Sequence, residues 1–120
     1  MKILHIDDSP EICKLYEDMF TLDHHSTTSV SNGKQGLELV VKNDYDVIFL
    51  DVCMPNYSGM DFLADLKNTR PSELKKVILL SVLEYNQSQV KGFLKFGIHS
   101  VERKPCNSKK LEVIIKNSFF

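Results

Sequence analysis

Cysteine is scarce in this sequence, and its placement argues against the structures that cysteines most often build. The 120 residues include three cysteines, at positions 13, 53 and 106, without CxxC spacing. An odd number without pairing argues against a disulfide framework and favours reduced thiols in a cytosolic protein. The four histidines add no zinc-ligand spacing to these cysteines, so no zinc site is predicted.

The sequence also lacks a long apolar run and an excess of charge of one sign. No run approaches the ~20 apolar residues that a helix needs to cross a bilayer. The start of the chain becomes acidic at Asp7, too early for a signal peptide. Fifteen basic residues stand against sixteen acidic ones, with no basic stripe for nucleic acid. We expect a cytoplasmic protein without direct contact with membrane or nucleic acid.

Linkers, repeats and low-complexity segments are absent too, and the length fits one domain over residues 1–120. Five strand-like runs alternate with five helical patterns, which predicts an α/β fold with a parallel sheet and helices on both faces. The predicted strands are Lys2–Ile6, Ser26–Val30, Val47–Leu50, Val77–Leu80 and about Ile98–Arg103. The second of these is polar, which is typical of an edge strand.

The helical segments carry capping signals and apolar residues at helical spacing. Ser9 and Pro10 predict the start of the first helix, Asn32 precedes the second, and Gly59 begins the third. The last two helices are predicted at about Asn86–Phe96 and Ser108–Ser118, with Pro71-Ser72 in a loop. The predicted core residues of the helices are Ile12, Leu15, Tyr16, Met19, Phe20, Leu37, Val40, Val41, Met60, Leu63, Leu66, Leu111, Ile114 and Ile115.

Three acidic residues stand where hydrophobic runs end. The first run leads directly into Asp7 and Asp8, and the third leads into Asp51. Ligands of open α/β sheets bind at the carboxyl ends of the strands. If these two strands are neighbours, three carboxylates share one small pocket, which is electrostatically unfavourable without a cation. Carboxylate oxygens alone favour a hard ion such as Mg²⁺.

Two more polar residues follow predicted strands. Ser81 ends the fourth run, and Lys104, followed by Pro105, ends the fifth. A hydroxyl and an ammonium beside a carboxylate and a metal ion are the groups needed to hold a phosphoryl group. Taken singly, Asp7 and Asp8 also fit a capping turn, Asp51 a solvated loop and Lys104 a surface lysine, but together these alternatives require several coincidences.

This set of residues resembles the receiver domain of two-component response regulators, of the single-domain chemotaxis type, over essentially the whole chain. The matching segments are Ile6-Asp7-Asp8-Ser9, Asp51-Val52-Cys53-Met54-Pro55-Asn56-Tyr57-Ser58-Gly59, Ser81 and Lys104-Pro105. The resemblance implies a doubly wound, flavodoxin-like sheet with strand order 2-1-3-4-5. It also implies a cis peptide bond before Pro105.

The resemblance further implies a role for each acidic residue. Asp51 corresponds to the phosphoacceptor, whose carboxylate oxygen attacks phosphorus. Asp8 corresponds to a direct Mg²⁺ ligand and Asp7 to one acting mainly through metal-bound water. The backbone carbonyl of Cys53 would complete the protein ligands.

The basic and hydroxyl residues also receive roles from the resemblance. Lys104 would neutralise one phosphoryl oxygen, and Ser81 would donate to another. A histidine kinase or phosphotransfer protein would supply the phosphoryl group. An output protein would bind the face of helix four, strand five and helix five. Such a protein is no enzyme beyond catalysing its own aspartyl phosphorylation and dephosphorylation.

The sequence departs from the family at Val101, where many receivers carry an aromatic residue that moves on activation. Glu102 and Arg103 put charge into a strand that is usually apolar. These departures keep open a second interpretation, a phosphorylation-independent interaction module with the receiver fold. A third is a Mg²⁺-dependent phosphohydrolase with an aspartate nucleophile, which ranks last because Cys53 stands where its second acid is expected.

Overall fold

A computed structural model describes residues 1–52, 54, 56–104 and 108–119, and in it the five predicted strands form one parallel sheet. The strands are β1 (Lys2–Ile6), β2 (Ser26–Val30), β3 (Val47–Asp51), β4 (Val77–Ser81) and β5 (Ser100–Arg103). The helices are α1 (Pro10–Leu22), α2 (Gly33–Lys42), α3 (Gly59–Thr69), α4 (Gln87–Leu94) and α5 (Ser108–Phe119), with a 3₁₀ helix at Pro71–Lys76.

The strand order is β2-β1-β3-β4-β5, which confirms the predicted topology. In the register of the sheet, Ile6 of β1 lies beside Leu50 of β3, and Asp51 lies beside Leu80 of β4. The residues that follow β1 and β3 therefore emerge side by side at one edge. None of the described helices is long and apolar enough to cross a membrane.

Each face of the sheet carries its own hydrophobic core, because successive side chains of a strand point to opposite faces. One core joins the sheet to α2 and α3 and includes Leu4, Leu50 and Phe62. The other joins it to α1 and α5 and includes Phe20 and Phe49. A position two residues before a site residue thus lies on the same face as that residue.

Capping side chains explain where the helices that frame the site begin. The Ser9 hydroxyl accepts from the Ile12 N–H at the start of α1, and the Asn32 side chain caps α2. At α3, Ser58 and Asp61 form a reciprocal capping box. These caps fix the direction in which the chain leaves each strand end.

Several predicted boundaries and core residues were wrong. The segment after Pro71 is a 3₁₀ helix rather than a loop, and the fourth helix and fifth strand are shorter than predicted. Leu15, Val41 and Met60 are 57%, 42% and 39% exposed instead of buried. One residue turns the helix by about 100°. Leu15 and Val41 stand one position from the buried Tyr16 and Val40, and so point away from the sheet.

Candidate functional site

Asp7, Asp8 and Asp51 converge at the carboxyl edge of the sheet. Their carboxylate oxygens include a set of three, one from each residue, that lie within 4.8 Å of one another. Asp7 and Asp51 are buried, at 2% and 7% exposure, whereas Asp8 is exposed. The convergence follows from the pairing of β1 with β3, which brings residues more than 40 positions apart in the chain to one edge. The site thus has two carboxylates in its floor and one at its mouth.

Lys104 supplies positive charge to this acidic floor. Its Nζ lies 2.7 Å from Asp7 Oδ2 and 3.5 Å from Asp51 Oδ1. Burial by itself would lower the pKa of the Lys104 ammonium, but the hydrogen bond to Asp7 and the charge of Asp51 raise it above its ordinary value. Lys104 therefore stays charged, and in this structure its ammonium donates a hydrogen bond to Asp7 and lies farther from Asp51.

Backbone contacts between strands hold Lys104 in the site. The Lys104 N–H donates to the Ser81 carbonyl at 2.6 Å, and Arg103 pairs with Ser81 in the sheet. The ammonium therefore reaches the floor from the end of the edge strand β5, across β4 and β3. The predicted proximity of Lys104 to the acidic residues depends on this strand order.

The Asp7 carboxylate is the most constrained group of the site. Its Oδ1 accepts from the Ser9 N–H at 3.0 Å, while Oδ2 accepts from Lys104. The Cys13 thiol donates to the Asp7 carbonyl at 3.2 Å. Burial, followed by the charge of Asp7, raises the pKa of Cys13, so the thiol remains a protonated donor at neutral pH. Cys13 thus serves the structure as a buried donor.

Ser81 lies at the end of β4 with 1% of its surface exposed. Its Oγ accepts from the Leu83 N–H at 3.0 Å, which turns the chain back over the hydroxyl. The loop from Ser81 to α4 is thereby tied to the side chain predicted to grip a phosphoryl group.

A glycine explains how the β3–α3 connection passes so close to the site. A Cβ on Gly59 would meet the Asp51 carbonyl oxygen and the Val52 Cα, each at 2.9 Å. Any side chain there would push against the backbone that carries Asp51. The Gly59 N–H instead donates to the Val52 carbonyl at 3.0 Å. The glycine of the predicted motif is thus required by packing.

The departures on β5 also have a structural setting. Val101 is half-buried and lines a surface pocket together with Tyr85, whose ring contacts Phe93 edge-on with centroids 5.0 Å apart. Glu102 and Arg103 lie on an edge strand, where they pair with Lys110 and Glu84 at 3.9 and 3.5 Å. Tyr85 was not predicted to lie here, although it is an aromatic residue in the loop after Ser81.

His5 is a second residue that the sequence analysis missed at this site. It is fully buried, and its Nε2 lies 4.0 Å from Asp7 Oδ2. The pKa of His5 is lowered from 6.5 to about 4, mainly by burial, while the charge of Asp7 opposes the shift and that of Lys104 adds to it. The missed signal was a polar residue in an apolar strand two positions before Asp7, and hence on the same face.

Cys53, Pro105 and Cys106 lie outside the described residues. His24 lies in an exposed turn with φ of 66°. The neighbouring His25 is partly buried, and its Nε2 lies 2.5 Å from a Glu112 oxygen of α5.

Comparison with known proteins gives the family. A model of the response regulator receiver domain matches residues 3–116. This chain belongs to that family. Receiver domains are signalling modules of two-component systems rather than classical enzymes, and they interact with histidine kinases or phosphotransfer proteins.

Two curated relatives differ in how much of them this receiver covers. The transcriptional regulatory protein CpxR of Escherichia coli K12 is 30% identical over 115 residues, 96% of this chain and 47% of CpxR. The probable chemotaxis protein CheY of Rhizobium etli is 25% identical over 120 residues, 99% of this chain and 92% of CheY. The receiver therefore spans about half of the first and nearly all of the second.

A solved receiver has the same fold. The receiver domain of a sensor histidine kinase from Pseudomonas aeruginosa superposes with a TM-score of 0.84 at 20% identity, over 98% of this chain and 96% of that one. That structure is described with a magnesium ion coordinated in its active site cleft.

Proposed function

We propose that this receiver accepts a phosphoryl group on Asp51 from a histidine kinase or phosphotransfer protein, with Mg²⁺ as the metal ion, and acts as one domain over residues 1–120. The observation that carries the proposal is the convergence of Asp7, Asp8 and Asp51 with Lys104 at the carboxyl edge of the sheet. Three carboxylates and one ammonium close together at the same edge of the sheet are suited to binding a phosphoryl group and its metal ion.

The acidic residues fit Mg²⁺ by their chemistry. Three carboxylates offer only hard oxygen donors within 4.8 Å of one another, and the exposed Asp8 leaves the mouth open to water ligands. Asp8 and Asp51 would bind the ion directly, Asp7 through water, and the Cys53 carbonyl would add a ligand. When bound, the ion neutralises negative charge on the phosphoryl oxygens.

Asp51, Lys104 and Ser81 would each have a separate role in the transfer step. An Asp51 carboxylate oxygen attacks phosphorus in line, forming a new O–P bond as the P–N bond of the donor phosphohistidine breaks. The electron pair of that bond returns to the imidazole nitrogen, which takes up a proton from water. Lys104 donates to one phosphoryl oxygen and the Ser81 hydroxyl to another, which stabilises the charge of the transferred group.

The proposed change in the partner-binding face begins at the hydrogen bond that the Leu83 N–H donates to the Ser81 Oγ. When Ser81 turns toward the phosphoryl group, its Oγ no longer accepts from the Leu83 N–H at the present geometry. The loop after Ser81 then shifts, and with it the face of α4, β5 and α5, where an output protein binds. The proposed contacts are with proteins, without direct binding to nucleic acid or membrane.

Replacing Asp51 by asparagine tests the proposal. The Asp51→Asn protein keeps the shape of the side chain but loses the nucleophilic oxygen, so labelling by acetyl phosphate with Mg²⁺ should vanish. Asp18→Asn is the matched control, because Asp18 is exposed and contacts Lys14 of the same helix. Undiminished labelling of Asp51→Asn would refute the acceptor. Absence of labelling in the unaltered protein, by acetyl phosphate and by histidine kinases, would favour a phosphorylation-independent interaction module.

A further inference from the structure

His5 carries a buried nitrogen whose hydrogen-bonding capacity is unused. The residue has no exposed surface, and its Nε2 has no hydrogen-bond partner among the described residues. Buried polar atoms are nearly always partnered, so an unpartnered one beside a functional site calls for a reason. Here Nε2 lies 4.0 Å from Asp7 Oδ2, too far for a hydrogen bond.

The surroundings of His5 decide which nitrogen carries the proton. Nδ1 lies 3.5 Å from the Ser29 hydroxyl, which can donate to it. Nε2 faces the Asp7 carboxylate, which only accepts. The neutral imidazole therefore carries its hydrogen on Nε2. The ring lies against Tyr16, with centroids 4.4 Å apart, and this contact restrains its orientation.

Two donors face the same carboxylate oxygen of Asp7. Oδ2 accepts a hydrogen bond from Lys104 at 2.7 Å, and His5 Nε2 lies 4.0 Å from the same oxygen. The other oxygen, Oδ1, accepts from the Ser9 N–H. Lys104 also lies 3.5 Å from Asp51, the proposed acceptor. A phosphoryl group on Asp51 competes with Asp7 for the Lys104 ammonium. When the ammonium moves to that group, Oδ2 of this buried carboxylate loses its side-chain hydrogen-bond donor.

We propose that His5 is a positioning residue that donates Nε2–H to Asp7 Oδ2 when Lys104 transfers its hydrogen bond to the phosphoryl group. The inference rests on the proposed function, because it requires a phosphoryl group on Asp51. His5 makes the release of Lys104 less unfavourable by satisfying the oxygen that Lys104 leaves. It also keeps Asp7 in place for its metal-bound water.

Nuclear magnetic resonance of the imidazole tests this exchange directly. Beryllofluoride with Mg²⁺ mimics the phosphoryl group, and its addition should shift the Nε2 and Hε2 resonances of His5 and slow the exchange of Hε2 with solvent. His24 is the internal control, because it lies in an exposed turn between α1 and β2, apart from the α4, β5 and α5 face that is proposed to shift. An adduct seen in the backbone resonances around Asp51, with an unchanged His5, would overturn the inference alone. Failure to form any adduct would overturn the proposed function and this inference with it.

Two substitutions separate donation from packing. His5→Leu removes the donor at similar volume, and acetyl phosphate labelling should be slower by about tenfold, since a hydrogen bond to a charged group contributes on that scale. His5→Gln places an amide donor near the position of Nε2 and should restore most of the rate. Equal rates for His5→Leu and the unaltered protein would overturn the proposal. A His5→Gln protein as slow as His5→Leu, with both folded by circular dichroism, would also overturn it.

Discussion

The two sides of this receiver differ in how firmly they are packed. At the ends of β1 and β3, Ile6 and Leu50 are completely buried, and Asp7 is held at both carboxylate oxygens. On the other side, none of the residues of α4 is buried, and β5 is an edge strand of half-buried and exposed residues. The acidic residues of the proposed site therefore lie on firmly packed elements, while the proposed response involves the elements with the least packing to lose.

The sequence of α4 shows why this side is weakly held. The helix spans eight residues and contains Gly92, around which an added Cβ would meet no atom within 4 Å. Glycine in a helix interior lowers helix stability relative to alanine. A capping box of Asn86 and Gln89 holds its first turn. The first turn of α4 is thus held by its cap, while the rest of the helix is only weakly stabilised. This is expected of a helix that shifts on activation.

The largest expected effect is a loss of stability on the packed side. Phe49 is fully buried and stacks on Phe20 with centroids 5.3 Å apart. Phe49→Ala should lower the free energy of unfolding by about 3–5 kcal/mol, since it leaves a cavity in the core. Phe93→Ala, on α4, should lower it by only about 1 kcal/mol. Chemical denaturation measures both, and equal losses would contradict the contrast between the two sides.

A smaller effect is expected from pH, because His5 is buried in its neutral form. Burial lowers its pKa from 6.5 to about 4, so the unfolded chain binds a proton that the folded chain excludes. The contribution of neutral His5 to the free energy of unfolding is therefore complete above pH 6.5. It is lost as the pH falls toward 4, because the unfolded chain then gains a proton that the folded chain does not bind. Over this range the unaltered protein should lose about 3 kcal/mol more stability than His5→Leu.

Denaturation at several pH values with a metal chelator present checks this prediction. The difference between the two proteins in how the free energy of unfolding changes with pH removes the contribution of the carboxylates, which both proteins share. The same pH dependence of the free energy of unfolding in both proteins would contradict the prediction.

The smallest effect concerns α4 itself. Gly92→Ala should slow amide exchange within the helix by up to about fivefold, corresponding to about 1 kcal/mol of added helix stability. Gly36→Ala is the opposing control on α2, because its Cβ would lie 2.5 Å from Ile6 Cδ1 and should destabilise the packed side. Hydrogen exchange followed residue by residue measures both. A Gly92→Ala protein with unchanged exchange in α4 would show that this glycine does not set its mobility.

Much of the fold could be predicted because its signals are local. Runs such as Val47–Leu50 are short and apolar, and they alternate with helical periodicity, which is enough to predict a parallel α/β sheet. Capping residues such as Ser9 stand within a few positions of the helices that they begin. The exposed Leu15 and Val41 were mispredicted because an apolar stripe on a helix does not show which part of it meets the sheet.

The sequence by itself determined the fold class and which side chains follow the strands, because both depend on neighbours in the chain. Only the tertiary structure decided that Lys104 hydrogen-bonds to Asp7 and lies farther from Asp51. It also decided that His5 Nε2 lies near Asp7 Oδ2, the oxygen that Lys104 contacts. Those relations are distances between groups up to 97 residues apart in the chain, and strand order and packing set them. Sequence patterns specify which groups meet at an edge of the sheet, but not which oxygen each donor reaches.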